Sequence, residues 1–111
     1  MEHEIQLKSS HLIIPAEIAN QVFVNCSSVY VAYKEDLNTI LVSPKSNDWF
    51  PKLHSSLEFI VKSKDLQGTK SIAIREILID HDVDDSDKTL NCSINQERNF
   101  LKIELPNFNQ V

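Results

Sequence analysis

The apolar positions of this chain follow one pattern that occurs twice. Each copy begins with a short, mainly apolar run before a turn. When the sequence is shifted by 60 positions the apolar residues of the two runs coincide: Leu12 with Ile72, Ile14 with Ile74 and Ile18 with Leu78. A short apolar run bounded by turn signals is typical of a buried strand.

A hairpin pattern follows each run. A shift of 61 positions superimposes five alternating apolar residues: Val29, Val31, Tyr33, Ile40 and Val42 fall on Leu90, Cys92, Ile94, Leu101 and Ile103. The polar loops 34–38 and 95–99 also have the same length. Alternation on both sides of a short polar loop predicts a β-hairpin. Because a half of this size with one apolar face is unstable alone, we expect two halves packed around one core.

The first half contains the clearest turn signals. Residues 4–8 alternate enough to form a strand, and Ser9-Ser10 predicts a turn into the next one. Pro15 ends that second strand and suits the first position of a helical turn over residues 15–21. In the second half, the corresponding residues 76–79 are compatible with a strand or a turn.

A helix is predicted between the halves. Ser46-Asn47-Asp48 offers N-cap side chains, and apolar residues then follow at helical spacing: Trp49, Leu53, Leu57 and Ile60. Gly68 is a suitable stop. We therefore expect a helix over about residues 48–66 whose apolar stripe packs into the core.

These elements define the expected fold class, which is α+β and mainly β. Two pseudo-repeated strand-turn-hairpin halves, at about residues 5–44 and 68–106, share one barrel-like core, with the single connecting helix (about 48–66) between them. The length of 111 residues suits one domain over residues 1–111.

Composition excludes several classes of function. Gly68 is the only glycine, whereas phosphate-binding loops and nucleophile elbows require glycine where the backbone turns tightly. Cys26 and Cys92 lie far apart without a CxxC spacing, which favours reduced thiols in a reducing compartment. No carboxylate pair is spaced for acid-base catalysis. We expect no enzyme, no cofactor and no small-molecule substrate.

An acidic run over residues 80–87 is the other segment with possible chemistry. As a calcium loop it would offer oxygen ligands, but its sixth position is Asp85 instead of glycine and its twelfth is Asn91 instead of glutamate. The interpretation favoured by this pattern is a solvated acidic loop, with adventitious divalent binding as the alternative. We expect no metal site.

Charge is distributed unevenly along the chain. The formal net charge is −5. Residues 45–75 nevertheless carry six basic and three acidic side chains and are the only stretch with a positive balance. A patch facing phosphate would have to come from this stretch. The alternative interpretation is a solvated surface with lysines that aid solubility.

The order of a short strand, Ile14-Pro15-Ala16-Glu17-Ile18, a turn and a hairpin ending at Pro44 resembles the AbrB-type swapped-hairpin fold. The doubled form, with Asp48-Trp49-Phe50 after the first hairpin, is similar to the MraZ branch of that superfamily. The resemblance covers roughly residues 5–105. It implies a DNA-binding transcriptional regulator that works as a homo-oligomer.

The residues that the resemblance and the local charge select for DNA contact are Lys62, Lys64, Lys70 and Arg75. No helix is available to enter the major groove, so we expect binding mainly through phosphate. Ser10-His11 stands where the family has Gly-Arg. This difference favours a second class, a non-enzymatic oligomeric protein-interaction module of the same fold that has lost DNA binding.

The start of the chain lacks a basic region followed by an apolar run, and no apolar stretch approaches the roughly 20 residues of a membrane span. We therefore expect a cytoplasmic protein with no membrane partner.

Overall fold

The computed structural model describes residues 2–106, which form three short α-helices and nine strands in a single sheet. In chain order the elements are β1 (Glu2–Lys8), β2 (His11–Ile14), α1 (Ala16–Val22), β3 (Ser28–Lys34), β4 (Thr39–Pro44), α2 (Phe50–Leu53), β5 (Leu57–Ile60), β6 (Lys62–Ser63), β7 (Lys70–Ala73), α3 (Arg75–Asp80), β8 (Lys88–Asn95) and β9 (Phe100–Glu104). A 3-10 turn, Glu35–Leu37, joins β3 to β4. The expected class, α+β and mainly β, is confirmed.

The sheet curls into a barrel. Its strand order is β5-β3-β4-β9-β8-β1-β2-β7-β6, and all of the recorded pairings are antiparallel. The two edge strands, β5 and β6, are consecutive in the chain and are separated only by Val61. The segment 57–63 therefore runs from one edge of the sheet to the other and brings the edges together.

The two halves are related by a pseudo-two-fold axis, as the repeat predicts. Leu12 lies opposite Ile72 in the β2–β7 pair, and Leu41 lies opposite Lys102 in the β4–β9 pair. In both pairs a residue faces its own counterpart in the repeat, which places the axis between them. The registers of the two hairpins also agree with this axis. Val31 faces Val42 in the first hairpin, and their counterparts Cys92 and Ile103 face each other in the second.

The repeat also includes the strand before each half. Ile5 of β1 lies opposite Leu90, while Phe59 of β5 lies opposite Val29, the counterpart of Leu90. The segment β5–β6 is thus the counterpart of β1. The second half begins at Leu57, earlier than the residue 68 expected from the sequence, because its turn before β7 is six residues longer and hides the match.

The barrel interior is built from the apolar positions that the two shifts matched. Their inward-facing side chains are almost fully inaccessible: Leu12, Ile14, Ile18, Val29, Val31, Ile40, Val42, Ile72, Ile74, Leu78, Leu90, Cys92, Leu101 and Ile103. Tyr33 and Ile94, near the end of each hairpin, are half-buried against this core. Burial of apolar area at these positions is the main stabilising contribution.

The helix expected over residues 48–66 is wrong. Only Phe50–Leu53 is helical, and the chain then forms β5 and β6. The stripe expected to be core is largely exposed, with Leu53 at 62% and Ile60 at 66%. The spacing of the apolar residues suited a helix, but strand β3 offers an unpaired edge that the segment completes, so tertiary pairing outweighs the local pattern.

Two further local expectations are confirmed, and one is wrong. Ser9-Ser10 forms a turn in which both residues have positive φ, and Pro15 precedes α1. Residues 76–79, expected as a strand or a turn, instead lie in the helix α3, the counterpart of α1. Residues 107–111, for which the sequence predicts a loose tail, are outside the described residues.

The two helices that belong to the repeat close opposite ends of the barrel. Helix α1 starts where β2 ends, beside the start of β7, since Ile14 lies opposite Lys70. Helix α3 starts where β7 ends, beside His11. We call the end with α1 and the turn 64–69 the basic end, and the end with α3 and the loop 81–87 the acidic end.

Candidate nucleic-acid interface

Three of the four candidate cations lie on one hairpin, formed by β6, the turn 64–69 and β7. Lys62 pairs with Ser71 across this hairpin, and Ser63 pairs with Lys70. The backbone N–H of Lys64 donates to the carbonyl of Thr69 at 2.8 Å and closes the turn. The hairpin therefore carries the backbone positions of all three lysines at or near the basic end.

Lys62 and Lys64 are exposed, and their side chains leave the strand on its outer face. Lys70 has the inward parity and is half-buried beside α1 and the loop 24–27. Its Nζ donates to Ser63 Oγ at 3.0 Å. Because this partner is neutral, the hydrogen bond orients the ammonium group without cancelling its charge.

Asp65 shapes the turn between these lysines. Its Oδ1 accepts hydrogen bonds from the backbone N–H of Gln67 at 3.0 Å and of Thr69 at 3.1 Å. Partial desolvation opposes ionisation of Asp65, but hydrogen bonds from Thr69, Gln67 and Gly68 outweigh it and lower the pKa of this carboxyl group. Asp65 thus places one negative charge among the three lysines, and the hairpin retains a positive balance.

Gly68 is the second fixed point of the turn. Its φ of +105° is accessible to glycine and strained for other residues, and a Cβ at this position would lie 3.3 Å from the Cβ of Ala16 at the start of α1. The turn therefore packs directly on the helix that closes the basic end. In sequence this glycine suggested a helix stop, whereas in the structure it permits a close approach.

Arg75 does not join the three lysines. It is the first residue of α3 and follows Ile74, whose backbone N–H donates to the carbonyl of Ser10 at 3.0 Å. This contact anchors it at the acidic end. Because β7 runs from one end to the other, Lys70 and Arg75 are separated by the length of that strand, on the order of 15 Å at 3.3 Å per residue.

Two other cations, Arg98 and Lys45, lie near the basic end. Sequence reasoning did not identify Arg98 as a candidate. Arg98 lies in the β8–β9 loop, which is held to this end by hydrogen bonds from Asn47 Nδ2 to the carbonyls of Arg98 and Asn99. Its guanidinium carbon is 5.4 Å from the centre of the Trp49 ring. Lys45 Nζ is 3.1 Å from Glu58 Oε2. The equal hairpin lengths in the repeat could have predicted the position of Arg98.

The acidic end carries a wide cleft of about 820 Å³. Its charged lining comes from the loop after α3, the first residue of β8 and the β3–β4 turn: Glu35, Asp36, Asp82, Asp84 and Lys88. Tyr33 lies beneath, with its ring 4.8 Å from that of His81 and its hydroxyl donating to Asn38 Oδ1 at 2.9 Å. Burial, together with the negative charge of Glu35, raises the pKa of Tyr33.

The acidic loop is ordered by its own contacts. Lys88 Nζ lies 2.8 Å from Asp84 Oδ2, and hydrogen bonds from Lys88 and Ser86 lower the pKa of Asp84 to about 2. The backbone N–H of Ser9 donates to Asp87 Oδ1 at 2.9 Å. Within residues 2–106 no three His, Cys, Asp or Glu side chains converge in a way that could hold a metal ion.

Both cysteines are free thiols. Cys92 is buried in the barrel, and burial raises its pKa to about 11, so the thiol stays protonated at neutral pH. Cys26 is half-buried and donates to the carbonyl of Ser28. The apolar strand position that the repeat assigns to Cys92 is therefore confirmed.

A second apolar cluster covers part of the barrel exterior. Phe50 of α2 is fully buried on Ala32 and Leu41 of the outer sheet surface, and Tyr30, Trp49 and Phe100 surround it. His54 contacts the Phe50 ring, and its Nδ1 is buried with no hydrogen-bond partner among the described residues. The cluster fixes the chain that leads from β4 into β5.

Comparison with protein-family profiles, with curated proteins and with solved structures gave no match. In the part of the chain that the structure describes, no helix is both long enough and apolar enough to cross a membrane.

Proposed function

We propose that the protein is a non-enzymatic, DNA-binding transcriptional regulator of the MraZ/AbrB-like type that contacts DNA mainly through phosphate and works as a homo-oligomer. The observation that carries the proposal is the β6–β7 hairpin, which gathers Lys62, Lys64 and Lys70 at or near the end of the barrel opposite the acidic loop.

The pattern of ion pairs supports this assignment. Among the described residues the recorded ion pairs are Lys45 with Glu58 and Lys88 with Asp84. None of the three hairpin lysines takes part in these pairs. The aspartates that dominate the net charge are anchored at the other end, so they do not neutralise the hairpin. A locally positive surface on an acidic protein can still attract a polyanion at short range.

The fold supports phosphate contact more than base readout. The hairpin projects flexible lysine side chains instead of a helix, and lysine binds phosphate as a point charge. With three lysines engaged, the logarithm of the binding constant should fall against the logarithm of salt concentration with a slope of roughly −3, at about −0.9 per neutralised phosphate. Binding should therefore be weakly dependent on sequence.

The test is a fluorescence anisotropy titration of the full chain against random duplex DNA between about 50 and 200 mM salt. Replacing Lys64→Glu and Lys70→Glu together should abolish binding. The matched control is Lys8→Glu with Lys34→Glu, which changes the charge equally on strands that end at the acidic end, and it should retain the parent's slope. Single replacement Arg75→Glu decides whether that arginine contributes.

Absence of binding by the parent at low salt would overturn the proposal. The protein would then be better described as an interaction module of the same fold, since its exposed apolar strand β5 offers a surface for protein partners. An equal loss of DNA affinity in the hairpin variant and in the control variant would also contradict the proposal, because it would show that net charge determines binding and not a local site.

A further inference from the structure

The hairpin that carries the lysines contains an extension that its counterpart in the repeat lacks. In the first half Lys8 pairs with His11, and two residues connect β1 to β2. The equivalent pair in the second half is Lys62 with Ser71, and the residues between them are 63–70, eight instead of two. Because two residues suffice for this connection in the first half, closure of the barrel does not require the extension.

The extension presents Leu66 at its tip. With a relative exposure of 105%, Leu66 is more exposed than any other large apolar side chain in the part of the chain that the structure describes. The carboxylate of its neighbour Asp65 is directed back into the turn, where Oδ1 accepts hydrogen bonds from the backbone N–H groups of Gln67 and Thr69. The leucine therefore stands out from the turn and contributes nothing to the core.

The backbone of the turn holds Leu66 in a defined position. The N–H of Lys64 donates to the carbonyl of Thr69 at 2.8 Å, and Gly68 lies against Ala16 at the start of α1. A side chain on an anchored turn loses less conformational entropy on binding than one on a flexible loop. The extension is thus suited to place one apolar side chain into a partner.

The charge around Leu66 indicates the chemistry of that partner. Lys62 and Lys64 precede the leucine, Lys70 follows it, and none of the three takes part in the ion pairs recorded among the described residues. This combination fits a polyanion with an apolar interior that a single side chain can enter. Duplex DNA provides both, since its phosphates are outside and its stacked bases are inside.

We propose that Leu66 inserts from the minor groove between two stacked base pairs of duplex DNA, while the lysines of the hairpin contact phosphates. The leucine acts as a wedge that partly unstacks one base step and bends the duplex. The inference rests on the proposed function and adds a preference to it. DNA that unstacks easily, at a mismatch or a flexible pyrimidine–purine step, is bound more tightly, without any reading of base edges.

An anionic membrane is the other polyanionic surface with an apolar interior, but one leucine is a weak membrane anchor. Even a single myristoyl chain gives only marginal, reversible membrane binding. A wedge in DNA needs only one apolar side chain, because the two base pairs that it separates cover both of its faces. The presence of one leucine at the tip therefore favours DNA.

The test compares a fully paired duplex with the same duplex carrying one central mismatch, by fluorescence anisotropy of the full chain at about 50 mM salt. The parent should bind the mismatched duplex at least about fivefold more tightly, because a mismatched step costs less to unstack. Leu66→Ala should reduce this preference to less than about twofold and leave the salt slope unchanged, because the lysines remain. A fluorescent base analogue that brightens on unstacking should respond to the parent and not to Leu66→Ala.

The matched control is Leu37→Ala, at an exposed leucine of the β3–β4 turn at the acidic end. It should keep both the mismatch preference and the brightening. Leu66→Met, which retains an apolar side chain able to act as a wedge, should keep them as well. Because Leu66 is fully exposed, neither of its variants should impair folding.

Equal affinity of the parent for both duplexes, without brightening, would overturn the inference and leave the proposed function standing. A parent that binds neither duplex would overturn both. Binding to vesicles of phosphatidylserine and phosphatidylcholine that requires Leu66, without brightening of the DNA probe, would overturn the inference by assigning the tip to a lipid surface.

Discussion

Leu41 on β4 and Lys102 on β9 lie directly opposite each other, and they are also counterparts in the repeat, so the pseudo-two-fold axis passes between them. Both face outward from the barrel. Leu41 is buried beneath Phe50 of α2, whereas Lys102 is half-buried on a surface without a second such helix among the described residues. The protein is therefore symmetric inside the barrel and asymmetric outside it, because the segment that covers one half has no counterpart on the other.

The equivalence of the interior positions can be tested by charge. Val31 and Cys92 are counterparts with nearly inaccessible side chains. Val31→Asp and Cys92→Asp should each destabilise the protein by more than about 3 kcal/mol, because each buries an unpaired charge. Thr89→Asp, at an exposed position of the same strand as Cys92, is the control and should change stability by less than about 1 kcal/mol. Urea denaturation measures all three.

The exterior cluster gives a different test. Phe50→Ala should cost about 3–5 kcal/mol, since it removes a fully buried aromatic side chain from the centre of the cluster. Leu53→Ala, three residues further along the same helix, should change stability by less than about 0.5 kcal/mol because Leu53 is 62% exposed. The opposite ranking would restore the helix over residues 48–66 with Leu53 in its buried stripe.

The interior positions and the segment after β4 show which parts of the structure could be predicted from the sequence. Alternating residues such as Val31 and Cys92 revealed the hairpins and the pseudo-two-fold, because period-two burial is local and occurs twice. Leu53 and Ile60 misled because their spacing suited a helix, while the unpaired edge of β3 that recruits β5 is set by distant residues. The candidate lysines were selected by local charge and by the family resemblance. The separation of Arg75 from them follows from strand direction, which neither of these encodes.

The turn that carries the lysines depends on Gly68. Gly68→Ala should destabilise the protein by about 1–3 kcal/mol, because the positive φ strains any residue with a Cβ and the new atom approaches Ala16. Gln67→Ala, at the neighbouring exposed position, is the control and should have little effect. Thermal denaturation measures the difference. Equal stability of both variants would mean that the turn does not rest on α1.

His54 should make stability depend on pH. Burial, with a contribution from the positive charge of Lys34, lowers the pKa of His54 below its ordinary value. The unfolded chain then binds more protons than the folded protein as pH falls below about 6.5, so stability is full above that value and decreases as pH falls toward the folded pKa. His54→Asn should remove this component of the slope in denaturation curves recorded between about pH 7 and 5.

If stability depended on pH in the same way in the His54→Asn variant, other titratable groups would be responsible for that dependence. Asp84 is separable, because its pKa of about 2 makes its stabilising contribution persist through this range. A carboxyl with a lowered pKa loses its contribution only as pH falls from the unfolded value of about 4 toward the folded one.

The position of the acidic loop gives the last prediction, which distinguishes a DNA site from a charge-neutralised surface. The loop is fixed to the turn after β1 by the contact of Ser9 with Asp87, and β1 spans seven residues, roughly 20 Å at 3.3 Å per residue. Charges that this distance separates are screened from each other, because the Debye length is about 8 Å at physiological ionic strength. Asp82→Asn with Asp85→Asn should therefore change DNA affinity by less than about twofold there and leave the salt slope unaltered, because the number of neutralised phosphates stays the same. Affinity should increase more at low salt, where screening extends over roughly 30 Å.

The control is Asp65→Asn within the lysine turn, which should strengthen binding at both salt concentrations. If the loop variant gained tenfold or more at physiological salt, the loop would lie against the hairpin in solution, and the lysines would serve a neutralised interaction surface instead of phosphate.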